Sequence, residues 1–159
     1  MPNVGEPAPN FSLPASDGKT YSLDQFKGKS YLVIVFYPGD DTPTCTKQLC
    51  DYSEGWGQFR QQGAVILGVS TNDMASHKSF AEKHNFQFPL LEDKGLNMCK
   101  AYDVMMFKGL LRMTNRAVFI IDKKGTIRYK HVETLPFFRR TKEELLTELK
   151  KIAAADAEK

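Results

Sequence analysis

Tyr31-Leu32-Val33-Ile34-Val35-Phe36-Tyr37, closed by Pro38-Gly39, is a short unbroken run of β-branched and aromatic residues. A run of this kind, with no polar alternation, suits a strand covered on both faces. Ala64-Val65-Ile66-Leu67-Gly68-Val69-Ser70 reads the same way. Between them, Cys45, Leu49, Tyr52, Trp56 and Phe59 recur at steps of three and four, which predicts one helix with a single buried stripe, ending near Gly63. The first unit is therefore strand, helix, strand.

Working outward, Asp73 can cap a helix carrying Phe80, Ala81 and His84, followed by an extended stretch from Phe86 to Leu91 and a short helix around Leu96 to Tyr102. The pattern then changes. Ala117 to Ile121, the turn Asp122-Lys123-Lys124-Gly125, and Thr126 to Lys130 read as a β-hairpin, with Gly125 where a positive φ is needed. Thr141 and Glu144 form a capping box for a last helix whose inner face is Leu145, Leu146, Leu149 and Ile152, and the chain is expected to fray from about Ala153. The sum is an α/β protein, a mixed central sheet flanked by helices, with thioredoxin-like topology as the first choice.

The 159 residues fit one domain spanning 1–159, and 42% hydrophobic with 26% charged residues is ordinary globular composition. Twenty-two Lys and Arg against 19 Asp and Glu leave a net charge of +3. That charge is too small and too dispersed for a phosphate-tracking surface, so nucleic acid is not the expected partner. No apolar run approaches the ~20 residues of a membrane span. Met1-Pro2-Asn3-Val4-Gly5 lacks the basic and apolar regions of a secretory signal, so a cytoplasmic protein is expected, although a removed transit peptide would leave no trace. Three cysteines, Cys45, Cys50 and Cys99, are too few for a disulfide scaffold and suggest thiols in a reducing compartment.

Cys45 carries the chemistry. It follows a buried strand and opens a helix, where unpaired backbone N–H groups and the helix dipole favour a thiolate over a neutral thiol. Cys50 lies five residues on. In an ideal helix such a pair is separated by ~7.5 Å of rise and ~140° of rotation, about 8.7 Å between Cα atoms. A disulfide tolerates only about 4.4–6.8 Å. If both sit on this helix, they can bond only after its first turns open. Cys99, on an amphipathic stretch, is read as structural, with a reserve role should Cys50 fail as partner. Zinc ligation is disfavoured by the spacing, and there is no C-x-x-C pair.

Pro38-x-x-x-Thr42-x-x-Cys45 resembles the peroxiredoxin active-site pattern, and Cys50 five residues further is similar to the bacterioferritin comigratory protein, or peroxiredoxin Q, subgroup. The resemblance continues in order through Val4–Phe11, Gly28-Lys29, Leu67–Ser70, Ser76–Phe80, Phe88–Leu91 and Asn115–Asp122. It implies Cys45 as peroxidatic and Cys50 as resolving cysteine, Arg116 holding the thiolate and polarising the peroxide, Thr42 directing its hydroxyl at peroxide and sulfur, and Pro38 shielding the pocket. It also implies hydroperoxide substrates, a thioredoxin-like dithiol reductant, no metal or organic cofactor, and a monomer.

Two positions depart from the commonest pattern: Thr44 stands where Gly is frequent and Gln48 where Glu is. Val104–Thr114 and Leu135–Phe138 are apolar enough to form a wall for organic hydroperoxides or a subunit contact, with core packing as the alternative. His77, His84 and His131 carry no pattern and are assigned to surface or packing. A thiol-disulfide oxidoreductase without peroxidase activity, and a redox-switched binding or holdase module, are the rival readings.

Overall fold

The computed structural model describes residues 2–109, 112–133 and 139–158. In chain order the elements are β1 (Ser12–Pro14), β2 (Thr20–Ser22), β3 (Tyr31–Phe36), α1 (Pro43–Glu54), α2 (Trp56–Gln61), β4 (Ala64–Ser70), α3 (Met74–His84), β5 (Leu90–Glu92), α4 (Asn97–Ala101), β6 (Arg116–Ile121), β7 (Ile127–Glu133) and α5 (Lys142–Ala157). Strand β3 is central, parallel to β4 and antiparallel to β6, and the sheet order is β5-β4-β3-β6-β7. This is the mixed α/β layering that the sequence pattern predicts.

The two-residue period of β3 explains why its run is apolar throughout. Val33 and Val35 enter one core with Leu49, Tyr52 and Phe59 of the first helices and Leu145 and Leu149 of α5. Leu32, Ile34 and Phe36 enter the other, with Cys99, Tyr102 and Phe119. Both faces are covered, so polar alternation has no place in this strand. Gly68 of β4 is a close-approach glycine, since a Cβ there would lie 2.8 Å from Leu90 Cδ2 and 3.4 Å from Tyr37 Cε1.

Several expectations need correction. The helix expected to run unbroken from Cys45 to near Gly63 is two, α1 and α2, which meet at Gly55. The stripe survives the break: Cys45, Leu49, Tyr52 and Phe59 are buried and Trp56 is half-buried. Gly55 makes room for α5, because a Cβ there would sit 2.9 Å from Lys142 Cδ. Asp51 of α1 meanwhile accepts from the Lys142 backbone N–H at 2.8 Å. Of the extended stretch Phe86–Leu91, only its end joins the sheet. Phe86 N–H instead bonds the Ala81 carbonyl, and Gln87 N–H bonds Ser53 Oγ. Fraying was expected from about Ala153, and α5 runs through Ala157, where Asp156 accepts from Tyr31 Oη at 2.7 Å and from Arg128 Nη1 at 2.6 Å. The hairpin β1–β2 carries no signal that the sequence reading used.

Both expected caps are present. Asp73 accepts from Ser76 N–H at 2.9 Å, and the Thr141–Glu144 capping box opens α5. In the apolar segment after α4, Val104 is buried and Met105 bridges to Thr114. Leu110, Leu111 and the stretch 135–138 lie outside the described residues. Among the described residues, no helix is long and apolar enough to cross a membrane.

Candidate active site

The site is assembled where β3 ends. Tyr37 keeps to the sheet, its N–H bonded to the Val69 carbonyl at 3.1 Å, while its own carbonyl accepts from Thr114 Oγ1 at 3.0 Å. The chain then turns through Pro38, Gly39, Asp40 and Asp41, the last in the left-handed region at φ 62°. Thr42, extended at φ −76° and ψ 146°, is the N-cap of α1, with Pro43 in the first helical position. Cys45 therefore lies in the first turn, among backbone N–H groups without intrahelical partners.

Arg116 is brought to this sulfur by strand order. It opens β6, next to β3, and the two-residue period places it on the same sheet face as Val118 and Ile120, which share the core with Cys45. Its Nη1 donates to Cys45 Sγ at 2.9 Å, and Cys45 is fully buried. The same Nη1 lies 3.2 Å from Gln48 Oε1, Gln48 Nε2 donates to Tyr52 Oη at 3.0 Å, and Tyr52 Oη donates to the Arg140 carbonyl at 2.5 Å. This chain of bonds ties Nη1 to α1 and, through Tyr52, to the Arg140 backbone. Because Gln48 accepts through a neutral amide oxygen, the contact steadies the arginine without placing negative charge beside the sulfur.

Thr42 and Pro38 are half-buried beside this centre. The Thr42 hydroxyl donates to the Gly39 carbonyl at 3.0 Å, whereas the resemblance implies a hydroxyl directed at peroxide and sulfur. Its proton is thereby committed and its oxygen lone pairs remain available to accept.

Cys50 lies on α1 with Cys45, and both thiols are free. It is half-buried and lines a depression of about 300 Å³ with Ser53, Glu54, His84, Asn85 and Gln87. Burial, and secondarily the Glu54 charge, push its thiol above the ordinary value. Cys99 is fully buried and belongs to the opposite core from Cys45. The sheet separates the two, which removes Cys99 from the reserve role. Burial, reinforced by Asp93, pushes its thiol far up.

His77 also needs correction. It is no surface residue, and its part goes beyond packing: fully buried, it sits 2.8 Å from Asp40 Oδ2 through Nδ1. The sequence reading missed this pair, and Gln48 as a support for Arg116. The signal for His77 was its spacing, three residues before Phe80 on the inner face of α3. His131 is half-buried between Glu133 and Arg140. Among the described residues, no group of three or more His, Cys, Asp or Glu side chains is placed to hold a metal ion.

A sulfur held by a cation at a helix start, with a second thiol on the same helix, is equipped for nucleophilic redox chemistry, so the fold and site define a cysteine-based enzyme on a thioredoxin-like scaffold. Comparison with known proteins narrows this. Residues 4–130 match the model of the AhpC/TSA family. A Coxiella burnetii protein bearing the peroxiredoxin bcp name is 42% identical over 132 residues, covering 78% of this chain and 84% of its own. The chloroplastic peroxiredoxin Q of Triticum aestivum is 42% identical over 127 residues, covering 79% of this chain and 57% of that longer relative. A solved structure of the Xanthomonas campestris bacterioferritin comigratory protein, described for alkyl peroxide reduction, is 29% identical, with a TM-score of 0.79 over 90% of this chain and 92% of the other. The chain belongs to the AhpC/TSA family, among its Bcp and peroxiredoxin Q members.

Proposed function

We propose that the protein reduces hydrogen peroxide and organic hydroperoxides, with Cys45 as nucleophile and Cys50 as resolving partner. The observation that carries this reading is the 2.9 Å bond from Arg116 Nη1 to Cys45 Sγ in the first turn of α1. A thiolate there attacks the near oxygen of the hydroperoxide. The S–O bond forms as the O–O bond breaks, and the departing oxygen takes a proton and leaves as water or an alcohol. Negative charge develops on that oxygen, so the fixed guanidinium stabilises the transition state more than the bound peroxide. Thr42 Oγ1, its proton given to Gly39, accepts the peroxide O–H, and half-buried Pro38 limits water access to the sulfur.

Cys45 is left as a sulfenic acid. Cys50 then attacks it, and a disulfide forms with loss of water. Two residues five apart in α1 stand about 8.7 Å apart at Cα, beyond the reach of a disulfide, so the first turns of α1 unwind for this step. An external dithiol of thioredoxin type completes the cycle by exchange, reducing the disulfide and becoming oxidised itself.

The test is intact mass after peroxide treatment. Wild type should lose two hydrogens on one equivalent of peroxide, whereas Cys50→Ser should gain oxygen on Cys45. Cys45 left unmodified by micromolar peroxide would overturn the assignment. A Cys45–Cys50 disulfide formed with dithiol oxidants but not with peroxide would favour the oxidoreductase reading.

A further inference from the structure

The loop before α1 holds a buried acid that the peroxide chemistry does not use. The side chain of Asp40 is 1% exposed and that of His77 is 0%. Asp40 Oδ1 accepts from Tyr37 Oη at 2.6 Å, and Oδ2 accepts from Ser76 Oγ at 2.6 Å and His77 Nδ1 at 2.8 Å. The Asp40 backbone N–H donates to Asn72 Oδ1 at 2.9 Å. His77 Nε2 lies 3.0 Å from the Leu91 carbonyl, so both ring nitrogens face oxygen acceptors. One side chain thus ties the loop to the end of β3, to α3 and, through His77, to β5. Burial pushes the carboxyl up, but the bonds from His77, Ser76 and Tyr37 outweigh it and hold Asp40 below its ordinary range.

These bonds stand directly upstream of the turns that must unwind. Asp41, the next residue, is a non-glycine at φ 62°, a conformation that persists only where its neighbours impose it. Then come the N-cap Thr42 and the turn that carries Cys45. Releasing Asp40 would let Asp41 relax and the first turn of α1 open.

We propose that Asp40, gripped by Tyr37, Ser76 and His77, is a positioning residue that holds the first turn of α1 wound and so decides the fate of the Cys45 sulfenic acid. In the wound state a second hydroperoxide can oxidise it to the sulfinic acid, transferring one oxygen and leaving as water or alcohol. In the unwound state Cys50 captures it as the disulfide, with release of water. The inference rests on the peroxidase reading and adds the group that sets the balance between these two outcomes.

The experiment compares full-length wild type, Asp40→Ala and Ser76→Ala, each fully reduced and mixed with graded hydrogen peroxide. Intact mass reports the peroxide concentration at which half of the protein becomes sulfinic rather than disulfide. Loss of a buried, charge-assisted grip should raise this midpoint about tenfold in Asp40→Ala and about threefold in Ser76→Ala. Amide exchange at residues 40–47 should quicken while β3 and β6 stay protected. Midpoints equal to wild type, or exchange quickened across the whole sheet, would overturn the proposal. Ser76→Ala keeps the backbone N–H that Asp73 caps and carries the test if Asp40→Ala does not fold. Wild type forming neither product would instead overturn the peroxidase reading.

Discussion

At Cys45 the neighbour on which the proposed chemistry leans comes from 71 residues away, with Arg116 Nη1 at 2.9 Å from the sulfur. Removing a fixed donor that faces developing charge costs about 10²–10³ in rate. Arg116→Ala should therefore lower the second-order rate with hydrogen peroxide by about that factor, read by competition or stopped-flow kinetics. Arg116→Lys should recover little, because a compact ammonium on a flexible stem is not held in one place as the planar guanidinium is. A residual rate within threefold of wild type would remove the guanidinium from the mechanism. Cys99 gives the opposite expectation. Buried beside Asp93 on the far side of the sheet, it should resist alkylation in the native protein, and Cys99→Ala should form the disulfide at the wild-type rate. Rapid labelling of Cys99 would contradict its placement.

At the scale of elements, helix ends and strand contacts carry measurable stability. Thr141→Ala removes the cap at the start of α5 and should cost about 1 kcal/mol in denaturant unfolding. Gly68→Ala forces a methyl to within 2.8 Å of Leu90 Cδ2 and 3.4 Å of Tyr37 Cε1 and should cost about 1–3 kcal/mol. Acid should act on two carboxyls. Glu144 is held below its ordinary value of 4.5 chiefly by the Arg140 guanidinium. Asp40, ordinarily 3.8, is pushed up by burial but lowered overall by His77, Ser76 and Tyr37. A carboxyl held down on folding contributes stability that is complete above its unfolded value and lost as pH falls through its folded one. The melting temperature should thus decline below about pH 4.5, and less steeply in Glu144→Gln. Equal slopes for wild type and variant would show that the cap carries no linked proton.

Over the whole molecule, a Cys45–Cys50 disulfide of the proposed kind and the reduced site exclude each other. On that reading, oxidation must draw Cys45 out of the fully buried position it holds here. Far-UV circular dichroism should therefore lose helix, the single Trp56, in the helix after α1, should change emission, and the melting temperature should drop by at least about 3 °C. Identical spectra in both redox states would mean that α1 never opens. How much of this was legible in the sequence depended on distance along the chain. The β3 and β4 runs and the Asp73 and Thr141 caps are local signals, and they predicted their elements. Cys45 was singled out by its place at a helix start and Cys50 by its spacing from it, and Pro38, Thr42 and Arg116 entered through resemblance. What stayed hidden is set by tertiary neighbours: the break at Gly55 answers to Lys142, the turn of the Thr42 hydroxyl to Gly39 depends on loop geometry, and Asp40 meets His77 only because α3 packs beside the loop.

One consequence follows from α1 bearing both Cys45 and Cys50. If Cys50 resolves Cys45 as proposed, closure of the sulfur–sulfur bond is unimolecular, so its rate constant should be the same at nanomolar and at millimolar protein. On that reading the gate is the fraying of a single coil at its leading end, and the tempo of the second half-reaction should be a property of the individual molecule, indifferent to crowding by its own kind.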